Sequence, residues 1–363
     1  MLIEKKKNLN SSFKKINFVI NHPSLVKAII QGKSRNERRD IARRLKEQRA
    51  ERLAIKECHK FISSMKKITP YYVDTNYKLK LNRLCFIEDW SNKEFNDVVR
   101  ELQTPTCDAY IYRKDWLPTK LKIRPMRKPG LIHRKDWEWA LGIIAIKRFN
   151  KLNDKCTAIG IGAGKEEVLF YLANKLKHVY ATDLYDGKEW NNFAPSDFPD
   201  NPRKYAPFPY KEDALTVLRM DGTNIKFPSE TFDIAFSFSS IEHFGGQNHE
   251  GALKSLKEIE RVLKKDGIAV IATEYIINGK DHLEFFNKKT IYSDLIDKLD
   301  SLKLVEPLDL RITTKTLDTV MDYPKSLYWD EADDDEFKKT HPHLLLKYQN
   351  ILLTSVMLVF QKK

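Results

Sequence analysis

The sequence lacks the marks of several protein classes. Its four cysteines, Cys58, Cys85, Cys107 and Cys156, include no Cys-x-x-Cys pair. This scatter indicates reduced thiols in a cytoplasmic protein rather than a disulfide framework. No stretch approaches the ~20 apolar residues of a membrane span, and no signal peptide is apparent, because Asn17 interrupts the apolar run at residues 16–20. With 363 residues and 42% hydrophobic content, the chain is expected to form one or two domains with a sizeable core.

Acidic residues are scarce in the first third of the chain. Residues 1–128 hold 31 Lys and Arg against 14 Asp and Glu, whereas the remainder holds 33 against 36, so the net charge of +14 is uneven. This distribution indicates two modules with different roles. We place the boundary in the proline-bearing stretch 118–130. The sequence thus predicts a basic, mainly helical N-terminal region at 1–129 and a second domain at 130–363.

The N-terminal region contains one arginine-rich segment. Few helix breakers occur between Ser24 and Lys67, so we predict a helix there. Its centre carries Arg35, Arg38, Arg39, Arg43, Arg44, Arg49 and Arg52. Such a helix could bind an anionic partner, namely RNA, a lipid surface or an acidic glycan. The alternative is a solvated helix, since four glutamates are interleaved with the arginines. The absence of aromatic residues among them weakens the case for single-stranded RNA.

Residues 130–363 alternate between short apolar runs and helical patterns. The runs predict strands at residues 157–161, 178–183, 215–220, 233–239, 267–273, 304–305 and 351–360. Helical spacing predicts helices at residues 134–152, 251–264 and 291–302, and one that starts shortly after residue 164. An earlier helix, at residues 92–103, is predicted to begin with a capping box of Ser91 and Glu94. This order predicts the α/β class, a Rossmann-like, mostly parallel sheet with helices on both faces.

A glycine-rich turn joins the first of these strands to the following helix. Gly160, Gly162 and Gly164 stand at alternate positions, which favours a sharp turn and close approach of a nucleotide. Glu166 and Glu167 follow at the start of the helix, where two carboxylates would repel a pyrophosphate. They tolerate a ligand with a cationic centre and no phosphate, such as S-adenosylmethionine (SAM). The alternative is a tight turn without a ligand.

Polar residues follow the next three strands. In a sheet of this kind, ligands bind beyond the carboxyl ends of the strands. Asp183 ends the second strand and could accept hydrogen bonds from both ribose hydroxyls. Asp221 follows the third strand and could accept from an adenine amino group, with the amide of Gly222 near the ring. The fourth strand runs into Ser239, and the stretch that follows carries a carboxylate and an imidazole, Glu242 and His243.

Five segments resemble class I SAM-dependent methyltransferases. They are residues 158–164, 181–184, 220–228, 232–243 and 259–267. The resemblance implies a seven-stranded sheet whose final strand is antiparallel. It also implies SAM contacts from the glycine corner, Gly160, Gly162 and Gly164, and by position from Asp183, Asp221 and Gly222. We add Glu166, Leu184 and Ser239 to the predicted cofactor-binding residues. With residues 133–138 and 352–356 included, the chain is similar to bacterial methyltransferases encoded among surface-polysaccharide genes.

The sequence departs from this family at one position. Many members carry an acidic residue two places before the first glycine, where this chain has Ala158. The ammonium of the methionine part of SAM would then lack its usual charged neighbour. We expect Glu166 or Glu138 to substitute for it.

His243 is the candidate general base. A hydroxyl acceptor must lose its proton during methyl transfer, and a well-placed base is worth roughly 10²–10⁴ in rate. Glu242 would orient His243 or the acceptor. The alternative is that Glu242 caps the following helix and His243 only shapes the pocket. No metal site is predicted, since His341 and His343 have no evident carboxylate partner in register.

The acceptor is the least defined part of the prediction. An insert at residues 185–210 carries Trp190, Phe193, Phe198, Tyr205, Phe208 and Tyr210. These rings could bind a sugar, or they could pack over the cofactor as a lid. A glycan or glycan precursor, methylated on oxygen, is the leading acceptor; another small molecule or a protein is also open. RNA is the alternative that the basic region favours, and a catalytically idle SAM-binding scaffold in a polysaccharide-assembly complex is a third interpretation.

Overall fold

The computed structural model describes residues 31, 34–68, 70–74, 77–112, 130–188, 190–322, 325, 329 and 334–363. The chain divides into two compact units, Met1–Phe61 and Ile62–Lys363. Helix α1 spans Arg35–Ile68. The predicted start of this helix at Ser24 and the connecting stretch up to residue 129 lie outside the described residues. The predicted boundary at residues 129 and 130 therefore stays a prediction.

The second unit is built on a ten-stranded sheet. Its strands are β1 Arg83–Leu84, β2 Thr157–Ile161, β3 His178–Asp183, β4 Leu215–Arg219, β5 Phe232–Phe238, β6 Leu263–Ile276, β7 Leu302–Leu304, β8 Met321–Asp322, β9 Leu346–Tyr348 and β10 Ile351–Lys362. The main path runs β4-β3-β2-β5-β6-β10-β9-β8, with β1 and β7 paired to β10. The pairs from β4 to β6 are all parallel.

Strand β10 reverses the direction of the sheet. It pairs antiparallel with β6 along nearly its whole length, from Leu353 opposite Ile276 to Gln361 opposite Ile268. Its other edge is shared by three short strands, β9, β1 and β7, one after another. Strands β2 to β7 and β10 form the expected seven strands with an antiparallel final one. Strands β1, β8 and β9 enlarge the sheet beyond that prediction.

Helices cover the sheet as the sequence predicts. They are α2 Lys93–Tyr112, α3 Arg134–Arg148, α4 Glu167–Lys175, α5 Glu250–Val262, α6 Thr314–Leu317 and α7 Asp335–Thr340. Helix α3 is buried on all sides from Asp136 to Ile146. The predicted fold class, a mostly parallel Rossmann-like sheet flanked by helices, is confirmed.

Several predicted boundaries differ from the structure. The cap of α2 is Asn92, whose Oδ1 accepts from the amide of Phe95 at 3.3 Å, rather than the predicted Ser91. Strand β6 extends at both ends beyond the predicted 267–273. The predicted helix at 291–302 is three successive turns, Lys288–Thr290, Ile291–Leu295 and Ile296–Lys298, before β7 begins. No helix in the described part of the chain is long and apolar enough to cross a membrane.

Candidate active site

The glycine corner lies where β2 meets α4. Gly162 and Gly164 adopt left-handed backbone conformations, with φ of +59° and +47°, which suit glycine because it has no Cβ. The amide of Ala163 donates to the carbonyl of Thr182 on β3 at 3.0 Å. The turn is therefore fastened to the end of the neighbouring strand.

No side chain fits at the corner glycines. A Cβ on Gly160 would lie 2.7 Å from the ring of Phe236, and one on Gly162 would lie 2.5 Å from Cβ of Ser240. A Cβ on Gly164 would lie 2.7 Å from the carbonyl oxygen of Phe193. The corner is thus enclosed by β5, by the segment after β5 and by the insert.

Asp183 lies at the corner as predicted. Its Oδ2 accepts from the amide of Gly164 at 3.0 Å, and its Oδ1 accepts from the amide of Leu184 at 2.7 Å. Burial raises the pKa of this carboxyl, and the two amide donors oppose that effect. Each carboxylate oxygen keeps a further lone pair, so the group can still accept from a ligand.

The end of β4 supplies the next two predicted residues. Asp221 is exposed, and its Oδ1 accepts from both the amide and the hydroxyl of Thr223 at 2.8 Å. Gly222 is enclosed: a Cβ there would lie 2.6 Å from Ile161 and from the ring of Phe244. Asp221, Gly222 and the corner therefore lie on the same edge of the sheet.

A lysine that the sequence analysis did not single out joins the two predicted glutamates. Lys135 Nζ lies 2.9 Å from Glu138 Oε2 and 3.0 Å from Glu166 Oε1, and it donates to the carbonyl of Phe238 at 2.8 Å. One cation between two carboxylates leaves one net negative charge beside the corner. This charge balance favours a cationic ligand over a phosphate, although Glu138 rather than the predicted Glu167 shares the lysine with Glu166, and Glu167 accepts from Thr106 at 3.2 Å.

The two glutamates differ in their freedom to bind a ligand. Glu138 is fully buried, and its Oε1 accepts from Ser239 at 2.8 Å and from Ser355 at 2.6 Å. Glu166 keeps 16% of its side chain exposed and accepts from the indole of Trp139 at 3.2 Å. Burial raises the pKa of Glu166, while Lys135 lowers it. Of the two, Glu166 is the better candidate for the missing acidic residue.

Glu242 is buried beneath the segment that follows β5. Its Oε2 accepts from the hydroxyl of Thr273 on β6 at 2.9 Å, and only 3% of the residue is exposed. Its Oε1 is buried and has no hydrogen-bond partner among the described residues. Burial raises the pKa of Glu242 to about 7. The next helix begins at Glu250, with His249 at its N-cap, so Glu242 does not cap it.

His243 is partly exposed and lies between two loops. Trp190 of the insert packs against its ring with centroids 4.7 Å apart, and Phe285 meets it edge-on at 6.2 Å. Nδ1 lies 3.6 Å from Oε2 of Glu284. The carboxylate at the imidazole is thus Glu284, which the sequence analysis missed because it lies in a distant loop without a recognisable pattern.

The aromatic residues of the insert fall into a buried group and an exposed group. Phe198 and Phe208 are buried, and Phe198 packs against Phe170 of α4. In contrast, Trp190 and Phe193 are 48% and 63% exposed. The backbone of the insert also holds the corner, since the carbonyl of Phe193 accepts from the amide of Lys165 at 2.9 Å. One part of the insert therefore packs into the core, and another carries exposed rings, of which Trp190 contacts His243.

A second histidine–carboxylate pair lies nearby. Nδ1 of His249 lies 2.9 Å from Oδ2 of Asp294, and the ring of Phe286 covers the imidazole at 4.3 Å. His249 is only 5% exposed, so it is a packed histidine that ties the N-terminus of α5 to the following turns.

No group of three or more potential metal ligands is found among the residues that the structure describes.

The residues of the corner fit SAM. The glycines leave no room for side chains, Asp183 offers a carboxylate to a ribose, and the Lys135 cluster carries a net negative charge. A cationic sulfonium with an amino acid end matches these charges better than a dinucleotide pyrophosphate.

Comparison with known proteins points the same way. Residues 159–271 match a family described as a methyltransferase domain. No curated protein matches the chain. The matched residues include the three glycines, Asp183 and His243. Together with the strand order, they define the class: the chain is a SAM-dependent methyltransferase, and the predicted cofactor is confirmed.

Solved structures show distant likenesses. A geranyl diphosphate C-methyltransferase from Streptomyces coelicolor A3(2) is 12% identical, with 75% of this chain and 98% of that chain covered and a TM-score of 0.41. The YcgJ protein from Bacillus subtilis is 16% identical, with 61% and 97% covered and a TM-score of 0.39. A SAM-dependent methyltransferase from Aquifex aeolicus is 17% identical, with 67% and 97% covered and a TM-score of 0.35. At these low scores the fold assignment rests on the strand order itself.

Proposed function

We propose that this methyltransferase acts on a hydroxyl group of a glycan or glycan precursor. The proposal rests on one observation: the insert contacts both the glycine corner and His243. Phe193 closes the glycine corner, and Trp190 packs on the ring of His243 at 4.7 Å. One segment therefore links the cofactor corner, exposed aromatic rings and a candidate base. Aromatic faces beside carboxylates suit the mixed apolar and polar surface of a sugar.

Each predicted cofactor residue has a proposed role. Asp183 would accept from the ribose hydroxyls, Asp221 would accept from the adenine amino group, and Glu166 would bind the ammonium. The backbone of the glycine corner, Leu184, Gly222 and Ser239 would line the rest of the site. Ser239 contributes through its main chain, because its hydroxyl already donates to Glu138 at 2.8 Å. When bound, SAM supplies a methyl group that the sulfonium has already activated.

The chain then has three tasks. Trp190 and Phe193 hold the acceptor, and alignment of this kind supplies up to ~7–11 kcal/mol in favourable cases. His243 takes the hydroxyl proton, so that the attacking oxygen does not keep a positive charge. Glu242 would orient the acceptor, the second of its two predicted roles, through its buried Oε1, which has no hydrogen-bond partner within the described part of the chain.

Incubation with methyl-labelled SAM and an extract of the native cells tests the proposal. Label should enter the carbohydrate fraction, and acid hydrolysis should release an O-methyl sugar. His243→Ala should reduce incorporation by roughly 10²-fold or more, while Glu212→Ala, a change at an exposed carboxylate that follows the insert, should not. Label confined to protein would contradict the glycan assignment, and SAM binding without any transfer would favour the idle scaffold.

Methylation of RNA remains the second candidate because of α1. Residues of its first half are mostly exposed, and Arg43 lies 3.4 Å from Asp40 and 3.9 Å from Glu47. Substitution of Arg35, Arg38, Arg39 and Arg44 by Gln tests this candidate. RNA affinity that falls by a similar factor for all RNA sequences, and that depends less steeply on salt concentration, would support this candidate. Label from SAM in the RNA fraction would support it directly.

A cytoplasmic location and a place among surface-polysaccharide enzymes are part of the same proposal. Cys58, Cys85 and Cys156 carry free thiols, which suits a reducing compartment. The segments that carry the narrower resemblance lie in α3 and β10, the elements that enclose Glu138.

A further inference from the structure

We infer that Glu284 positions His243, by accepting a hydrogen bond from Nδ1 and so leaving Nε2 as the proton acceptor. The inference rests on the proposed role of His243 as the base. A histidine that acts as a base needs one ring nitrogen without a proton. A carboxylate beside the other nitrogen holds the proton there and so leaves the first nitrogen free to accept one. Sequence spacing points to Glu242 for this task, whereas the geometry points to Glu284.

Glu242 is directed elsewhere. Its Oε2 accepts from Thr273 at 2.9 Å, and the residue is 3% exposed beneath the segment after β5. The only carboxylate within ion-pair distance of the imidazole, among the described residues, is Glu284 at 3.6 Å from Nδ1. Its side chain is 52% exposed, and the 3.6 Å separation is longer than a hydrogen bond. Catalytic hydrogen bonds are often long before substrate binds.

The loop that carries Glu284 is held in place. Nδ1 of His282 accepts from the amides of Glu284 and Phe285 at 3.2 and 3.3 Å. The imidazole of His282 also stacks on Phe285, with centroids 4.5 Å apart and planes 6° apart. Asn287 closes the loop by donating to the carbonyl of Lys280 at 3.1 Å. The backbone at Glu284 is thus fixed even though its side chain is exposed.

The ring of His243 is held as well. Trp190 packs on it from the insert, with planes tilted by 35°, and Phe285 meets it at 81°. Since Phe285 is the neighbour of Glu284, the same loop supplies both the carboxylate at Nδ1 and one of the rings that orient the imidazole. The two contacts therefore fix the orientation of the imidazole, with Nδ1 on the side of Glu284.

Nitrogen-15 NMR of histidine-labelled protein tests the inference without any acceptor. At a pH about 2 units above the ordinary imidazole pKa of roughly 6.5, the neutral ring shows which nitrogen carries the proton. His243, assigned by the loss of its signal in His243→Ala, should carry the proton mainly on Nδ1. In Glu284→Ala the ratio of the Nδ1–H to the Nε2–H tautomer should fall by about tenfold. In Glu284→Gln this ratio should lie between those of the wild type and Glu284→Ala.

Two controls accompany this measurement. Glu212→Ala removes a carboxylate of matched exposure, 53% against 52%, and should leave the His243 spectrum unchanged. His249, whose Nδ1 faces Asp294 at 2.9 Å, is an internal reference that should keep its tautomer in every variant. An Nε2–H tautomer in the wild-type protein, or the same tautomer in Glu284→Ala, would overturn the inference. Failure of the protein to methylate a glycan would contradict the proposed function and leave this spectrum unaltered.

Discussion

At the scale of single residues, Glu242 is a carboxyl whose charge the fold disfavours. Desolvation raises its pKa from 4.5 to about 7. Between these two values the unfolded chain has lost the proton and the native protein has kept it. The native state then binds more protons, so the unfolding free energy falls as pH rises from about 4.5 to about 7. Above about pH 7 this loss of unfolding free energy is complete. It amounts to up to about 3 kcal/mol, at ~1.4 kcal/mol per pKa unit.

Glu242→Gln should remove this pH dependence, because the amide does not ionise. Relative to wild type, the variant should gain up to about 3 kcal/mol of unfolding free energy between about pH 4.5 and pH 8. Urea denaturation at both pH values measures the change. Parallel stability profiles for the two proteins would show that Glu242 ionises in the native state as it does in water.

Both the backbone conformation and the lack of space disfavour a side chain at Gly162. Its φ of +59° disfavours a side chain, and a Cβ would lie 2.5 Å from Ser240. Gly162→Ala should lower the unfolding free energy by about 2–4 kcal/mol and weaken SAM binding. Gly279→Ala is the matched control, since Gly279 has φ of +69° with no atom within 4 Å, and it should cost only about 1–2 kcal/mol. Equal losses in both variants would mean that the contact with Ser240 does not matter.

At the scale of elements, Glu138 joins three parts of the fold. It projects from α3, and it accepts from Ser239 after β5 and from Ser355 of β10. Lys135 on the same helix reaches from Glu138 to Glu166 at the start of α4. The cofactor corner is thus supported by a buried polar network rather than by apolar contacts alone.

Glu138→Gln should therefore mainly lower stability, whereas Glu166→Gln should mainly lower SAM affinity. Glu138→Gln breaks a buried ion pair and should cost about 2–4 kcal/mol of unfolding free energy. Glu166→Gln should cost less unfolding free energy, because Lys135 keeps its ion pair with Glu138, yet weaken SAM binding by about tenfold, or ~1.4 kcal/mol. Calorimetric titration and thermal unfolding of both variants separate the two effects. Unchanged SAM affinity in Glu166→Gln would exclude it as the ligand of the ammonium.

The order of elements was predictable because each parallel strand is a short apolar run that ends at a glycine or a polar residue. Helix lengths were less predictable. Asn92 replaced Ser91 as the cap, a choice that depends on backbone angles not encoded in spacing. Strand β6 extends through Lys264 and Lys265, charged residues that propensity would exclude, because Leu263 already pairs with Phe232 of β5 before a register shift, and regular pairing resumes at Ile268.

At the scale of the whole molecule, the sequence located the site but not all of its partners. The glycine corner, Asp183 and Asp221 follow from their places after strands. Lys135 and Glu284 do not, since each acts on residues far away in sequence. Glu284 lies 41 residues after His243, and only the pairing of the chain around β6 brings it near. The exposed rim of Trp190, Phe193 and Leu283, at 48%, 63% and 86% exposure, likewise emerges only in the folded protein.

The central claim is that the glycine corner binds a cationic sulfur donor. Isothermal titration of the full chain with SAM, with S-adenosylhomocysteine and with NADH tests it most directly. We expect one site for SAM and for S-adenosylhomocysteine, none for NADH, and at least a tenfold loss of both affinities in folded Asp183→Ala. A folded wild-type protein that takes up neither SAM nor S-adenosylhomocysteine, or that binds NADH instead, would contradict it.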